Sequence, residues 1–237
     1  MMLEPEEYYE NYLKGKTSDQ IMTQIRSLKR KINRLQNVMD HPDYPYRTDV
    51  IDPDEGVQVY MYREYIKRAK TALEEAGVVY TMTKAEQREA AIEASMPYAS
   101  KVIFSKGCYL TGGIAKIFTI GENTLFASTQ TFLHIEEPDL LDISEYREEF
   151  LEELADLHLE RWRRHYDLYR YGMAVMDGES WKLEIQFSNG HRPLKITGEN
   201  AYPFAFYYLE DVLGLPFEQK DDEREEIDEC TEQYSVI

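Results

Sequence analysis

The chain has 237 residues, 43% apolar and 30% charged, the proportions of a globular protein able to bury a core. Lys and Arg number 27 against 45 Asp and Glu, a net charge of −18 that opposes general attraction to DNA, RNA or anionic lipid. No apolar run approaches the ~18 residues of a membrane-crossing helix. Met1 to Glu7 lacks the basic and apolar regions of a secretory leader, and the distant Cys108 and Cys230 form no CxxC pair or disulfide framework, so a cytoplasmic protein is expected.

The first third reads as helical. Thr17-Ser18-Asp19-Gln20 is a capping-box start, and Ile21, Ile25, Leu28, Ile32, Leu35 and Met39 follow at the alternating spacing of a coiled-coil seam. His41-Pro42-Asp43-Tyr44-Pro45 ends that helix, and a second is predicted from about Val57 to Ala76, stopped by Gly77. The pair suggests an antiparallel hairpin in which the seam packs on the second helix. The alternative use of Ile21, Ile25, Leu28, Ile32 and Leu35 is a homodimer or a partner helix. Thr83-Lys84-Ala85-Glu86 opens a third helix that Pro97 closes.

The pattern then turns to β. Lys101–Phe104, Ile114–Ile120 and Thr124–Ala127 read as strands separated by Gly107, Gly112-Gly113 and Gly121-Glu122-Asn123, a small antiparallel meander. From Asp142 to about Tyr171 a long amphipathic helix is expected, acidic early and basic late, a charge order that suits the helix dipole. After Gly172, Met173–Met176, Trp181–Phe187 and Arg192–Thr197 are expected as three strands, the last two joined at Asn189-Gly190. Beyond Tyr202-Pro203 a short closing helix runs through Leu209 and Leu213. The predicted class is α+β: a helical hairpin region at 1–98, a small β region at 99–141, an α-β-β-β-α module at 142–216 and a mobile tail at 217–237. Glu218 to Ile237 holds nine acidic residues against Lys220 and Arg224.

Asp177-Gly178, Trp181-Lys182-Leu183-Glu184-Ile185, Asn189-Gly190 and Gly198-Glu199-Asn200-Ala201-Tyr202-Pro203 resemble a module of uncharacterised proteins from gut Firmicutes. Ile25–Ile32 with His41-Pro42, and Tyr65–Lys70, also resemble proteins of that setting, many of them from phage or integrative elements. The resemblance implies a mobile-element neighbourhood. It carries no activity and transfers no functional residue. Small acidic proteins of mobile elements include anti-CRISPR and anti-restriction inhibitors.

Catalytic constellations are weak. His158 and His165, seven apart with Trp162 between them, read as a packing stripe, since metal ligation on one helix favours an i, i+4 pair. Cys108 lacks a local base, the glycines form no Walker loop, and Asp139, Asp142 and Glu145 stand out little among so many carboxylates. No catalytic residue, metal ligand or cofactor is assigned. Three other features remain. Glu145, Glu148, Glu149, Glu152, Glu153 and Asp156 form an acidic ladder, read either as solubility or as imitation of a phosphate backbone. Arg26, Lys29, Arg30, Lys31 and Arg34 form a basic ridge, read as intramolecular ion pairs with the acidic segment or as a contact for nucleic acid or an acidic partner. Tyrosines such as Tyr8, Tyr9, Tyr12, Tyr44, Tyr46, Tyr60, Tyr62 and Tyr65 suit either surface filling or an interface.

The leading expectation is a non-enzymatic acidic protein that binds a basic surface of a host protein, such as a defence nuclease. A DNA- or RNA-binding regulator using the 26–34 ridge is the alternative, and a hydrolase with an unrecognised carboxylate or cysteine site is the third reading.

Overall fold

Pro5, whose fixed φ suits a first helical turn, starts α1 (Pro5–Tyr8), which runs on as a π-helical turn to Leu13. Thr17 caps α2 (Ser18–Met39): its hydroxyl accepts from the Gln20 amide, and the Gln20 side chain accepts from the Thr17 amide at 3.0 Å. Asp54 caps α3 (Glu55–Glu75) by accepting from the Val57 amide at 2.7 Å. Gly77, at φ +73°, stops it, with the Gly77 and Val78 amides bonded to the Glu74 and Leu73 carbonyls. The computed structural model describes residues 2–46, 51–108, 112–131, 140–175 and 178–214, and the chain divides into two units, Met1–Ala85 and Glu86–Ile237.

In the first unit the seam packs on α3. Ile21, Ile25, Leu28 and Ile32 are buried with Tyr65, Ile66, Ala69, Ala72 and Leu73, while Leu35 and Met39 are half-buried. The seam is thus used within the chain. Homodimerisation through Ile21, Ile25, Leu28, Ile32 and Leu35 would require uncovering four side chains that are at most 7% exposed. α1 is fastened by Tyr8 stacked on Tyr65 at 4.1 Å between ring centroids and by the Tyr65 hydroxyl donating to the Leu3 carbonyl. Arg68 adds a clamp, 2.9 Å from Glu6 and 3.6 Å from Glu75, with its guanidinium over the Tyr9 ring. Tyr8, Tyr9 and Tyr65 therefore serve the core, and Tyr12, Tyr46 and Tyr60 remain exposed.

The second unit comprises α4 (Lys84–Glu93), β1 (Ala99–Cys108), β2 (Gly112–Ile120), β3 (Leu125–Thr131), β4 (Leu140–Asp142), α5 (Arg147–Asp156), β5 (His165–Asp167), β6 (Glu179–Phe187), β7 (Leu194–Glu199) and α6 (206–214). The seven strands among the described residues form one sheet in the order β4-β3-β2-β1-β6-β7-β5, antiparallel except for β5 beside β7. The separate β regions expected at 99–141 and 142–216 are thus a single sheet. β1 pairs with β2 along one edge, and β6 satisfies the backbone groups of the other. Val102, Phe104, Phe118, Leu125, Ala127, Trp181, Leu183, Ile185 and Ile196 line the core face, packed with Phe150 and Leu154 of α5 and Phe206, Leu209 and Leu213 of α6.

Two expected elements differ. The long helix of 142–171 is only the ten residues of α5, because His158 takes a left-handed conformation at φ +49°. Leu154 and Leu157 share a face, but Leu159 would point to the opposite side of a continuing helix; the break lets it bury completely. The Trp162 indole N–H donates to the Leu157 carbonyl left open there. Arg161, Arg163 and Arg164 consequently lie outside any α-helix. The strand expected at Met173–Met176 is also absent from its described part: 173–175 is irregular and Val175 is exposed. β5 supplies the third strand beside β6 and β7. The tail of 217–237, His134, Asp139 and Cys230 lie outside the described residues.

Candidate functional site

Phe150 and Leu154 anchor α5 to the sheet, so its orientation is fixed and its opposite face turns to solvent. Glu145, on the helical turn just before α5, and Glu148, Glu149, Glu152, Glu153 and Asp156 are all exposed. None of these six makes an ion pair among the described residues. Arg147 is the one cation within α5, and its Nε donates to the Gly121 carbonyl at 2.9 Å. Because the helix ends at Asp156, Glu152, Glu153 and Asp156 occupy its C-terminal turns, where the dipole disfavours negative charge and no basic residue compensates. The charge order therefore opposes the dipole over these turns, contrary to the match expected for a longer helix. The i, i+4 pairs Glu148/Glu152, Glu149/Glu153 and Glu152/Asp156 add like-charge repulsion of about 0.2–0.5 kcal/mol each.

The basic ridge occupies the solvent side of α2. Arg26, Arg30 and Arg34 are exposed and make no ion pair among the described residues; the Arg30 Nε donates to the Arg26 carbonyl. Lys29 instead donates to the Tyr80 hydroxyl at 2.8 Å, and the Lys31 ammonium sits 5.2 Å from the Tyr62 ring centroid. Within their own units, neither the three arginines nor the acidic ladder makes an ion pair among the described residues.

The Asp177–Pro203 pattern has a structural explanation. Trp181 stands opposite Gly198 across β6 and β7, and a Cβ on Gly198 would lie 2.1 Å from the indole nitrogen. That nitrogen donates to the Ala201 carbonyl at 2.9 Å inside the core. Asn200, at φ +53°, accepts from the Glu179 backbone N–H through its side-chain oxygen at 2.7 Å, and a Cβ on Gly178 would collide with the Asn200 side chain. Gly190, at φ +82°, turns the hairpin, while Asn189 accepts from the His191 amide and donates to the Ser95 hydroxyl. The motif specifies a corner between strands.

Two polar clusters escaped sequence reasoning. Lys106 lies 2.7 Å from Glu210 and 3.4 Å from Glu179, whose carboxylate also accepts the Tyr202 hydroxyl. Burial, then the bond to Glu179, pushes the Tyr202 phenol well above its ordinary pKa. Partners that are 73 and 104 residues from Lys106 leave no local signature. On the other sheet face, the nearly buried Glu184 sits 3.0 Å from Lys182 and 3.1 Å from Lys195. The Lys182 hydrogen bond, reinforced by Lys195, outweighs burial and lowers the Glu184 carboxyl to about 2. The alternation Lys182-x-Glu184-x-Gln186 marked this face, while Lys195 is joined to it only by strand register. Both clusters are internally paired, which suits a structural role.

The histidines are dispersed. His158 faces Glu160 at 3.3 Å, and His165 bonds Thr197 and faces Asp167 at 3.6 Å, so the two do not share a helical stripe with Trp162. Cys108 ends β1, half-buried and in register with Gly112 and Glu179. Asp142 accepts the Ser144 hydroxyl and amide, a local turn. Among the described residues no group of three His, Cys, Asp or Glu side chains is arranged to share a metal ion, and no helix is long and apolar enough to cross a membrane.

Compared with family models, with curated proteins and with solved structures, the chain has no match.

Proposed function

We propose that the protein is a non-enzymatic binding protein whose acidic helix occupies a basic, nucleic-acid-handling surface of a partner. The concrete form is inhibition of a host defence nuclease, of the anti-CRISPR or anti-restriction kind, by a mobile-element protein. One observation carries this reading: α5 keeps five exposed carboxylates without ion pairs, three of them against its own dipole, at a cost in helix stability. Solubility alone gains nothing from concentrating charge where it weakens the fold, whereas a preorganised anionic face gains complementarity to a cationic groove. The mobile-element resemblance of the Asp177–Pro203 module and the helical segments lends the reading a biological setting.

The test uses purified defence nucleases of the bacterial host and their DNA substrates. The wild type is expected to inhibit cleavage by one of them at near-stoichiometric ratio, more strongly at 50 than at 200 mM salt. Glu148→Gln, Glu149→Gln, Glu152→Gln and Glu153→Gln combined should abolish inhibition while leaving the fold intact. Inhibition of none of the panel, or full inhibition by the quadruple variant, contradicts the proposal.

A further inference from the structure

We propose that the arginine ridge of α2 is a second docking surface, one that grips the phosphate backbone of duplex DNA without reading its bases. The inference stands apart from the acidic helix and on different residues. It begins from where the charge lies. Met1–Ala85 contains thirteen Lys and Arg against fourteen Asp and Glu, whereas Glu86–Ile237 contains fourteen against thirty-one. The net charge of −18 therefore belongs almost wholly to the second unit, and the first is close to neutral.

Within that neutral unit α2 is cationic. Ser18–Met39 holds Arg26, Lys29, Arg30, Lys31 and Arg34 against the single carboxylate of Asp19. Packing of the seam on α3 fixes the rotation of α2, which leaves Arg26, Arg30 and Arg34 in solvent. Their i, i+4 spacing sets them in one row at steps of about 6 Å. A guanidinium engages a phosphate through two parallel hydrogen bonds, and evenly spaced guanidiniums match the even spacing of phosphates along a duplex strand. Lys29 and Lys31 lie beside the row, held against Tyr80 and Tyr62.

Other polyanions fit less well. The apolar face of α2 is buried, so nothing remains to enter a lipid interface. α2 contains no aromatic residue, so it provides no stacking platform for unpaired bases. A duplex backbone demands neither feature.

The test is fluorescence anisotropy of the full chain with a labelled DNA duplex of about 20 base pairs between 50 and 200 mM salt. Three phosphate contacts predict a log–log salt slope near −2.7, so affinity should fall about 40-fold over that range. Each of Arg26→Gln, Arg30→Gln and Arg34→Gln should flatten the slope by about 1, and the triple variant should lose binding at 50 mM salt. Gln keeps helix propensity, and far-ultraviolet circular dichroism checks the fold of each variant. Lys14→Gln with Lys67→Gln, which removes two exposed cations elsewhere in the same unit, should leave affinity nearly unchanged. Failure of the wild type to bind at 50 mM salt, or undiminished binding by a folded triple variant, overturns the proposal. So does equal or tighter binding to polyglutamate, to phosphatidylserine vesicles or to a single strand.

Discussion

Glu184 and Gly198 show how single residues hold the second unit together. With its carboxyl lowered to about 2 in the folded protein, Glu184 contributes stability that is fully present above its ordinary unfolded value and is lost as pH falls through the folded one. The affected window runs from about pH 5 down to pH 2, and the contribution is on the order of 1–2 kcal/mol once screening at the sheet surface is allowed for. Glu184→Gln should lower stability at pH 7 by that amount and flatten the acid limb, measured by urea denaturation across the window; an unchanged acid limb would mean that Lys182 and Lys195 contribute no pairing energy. Gly198→Ala acts differently, since its new Cβ would meet both the Trp181 ring and the Ala201 carbonyl oxygen. A loss of about 1–3 kcal/mol or more is expected, with a tryptophan fluorescence shift as the indole leaves its carbonyl. Such residues were partly legible. Asn189-Gly190 announced its turn because turn chemistry is local, but the need for Gly198 comes from Trp181 on a neighbouring strand, which no spacing rule reports.

At the scale of elements, the limits of the two long helices of the first unit were legible, and the end of α5 and the sheet were not. The Thr17 box, the Gly77 stop and the Ile21–Ile32 seam depend on residues within a turn or two of one another, and each lies where the sequence put it. Strand order depends on which distant strand meets β1, so the pairing of β1 with β6 left no trace in either segment alone. The end of α5 was missed because the apolar spacing runs on to Trp162, whereas Leu159 breaks the face. Leu159→Ala should therefore cost about 2–5 kcal/mol by thermal or urea unfolding; a loss under 1 kcal/mol would contradict that account of the helix end. The acidic turn of α5 leads to the opposite expectation. Glu152→Gln with Glu153→Gln removes two charges from the wrong end of the dipole, so the variant should be more stable by about 0.5–1 kcal/mol. A raised melting temperature coupled to weakened inhibition would mark these carboxylates as retained for binding, and a lowered one would show that they support the fold.

The whole molecule is a chain whose charge is divided by unit: a near-neutral helical unit with an exposed cationic row and a strongly acidic α+β unit with an exposed anionic helix. Average composition had concealed that division, since −18 spread over 237 residues argued against any anionic partner. Exposed charges more than about 8 Å apart are largely screened at physiological salt, so the charge local to a helix, and not the net charge of the chain, governs what that helix attracts. The acidic helix is central to the functional account, and displacement of DNA tests it most directly. A labelled duplex bound to a purified host defence nuclease is titrated with the protein, and its release is followed by loss of the nuclease–duplex band in a native gel. The account predicts complete release at about one equivalent by the wild type and none by the variant with Gln at Glu148, Glu149, Glu152 and Glu153. Release by that variant as effective as by the wild type, or no release from any nuclease of the host, would contradict it.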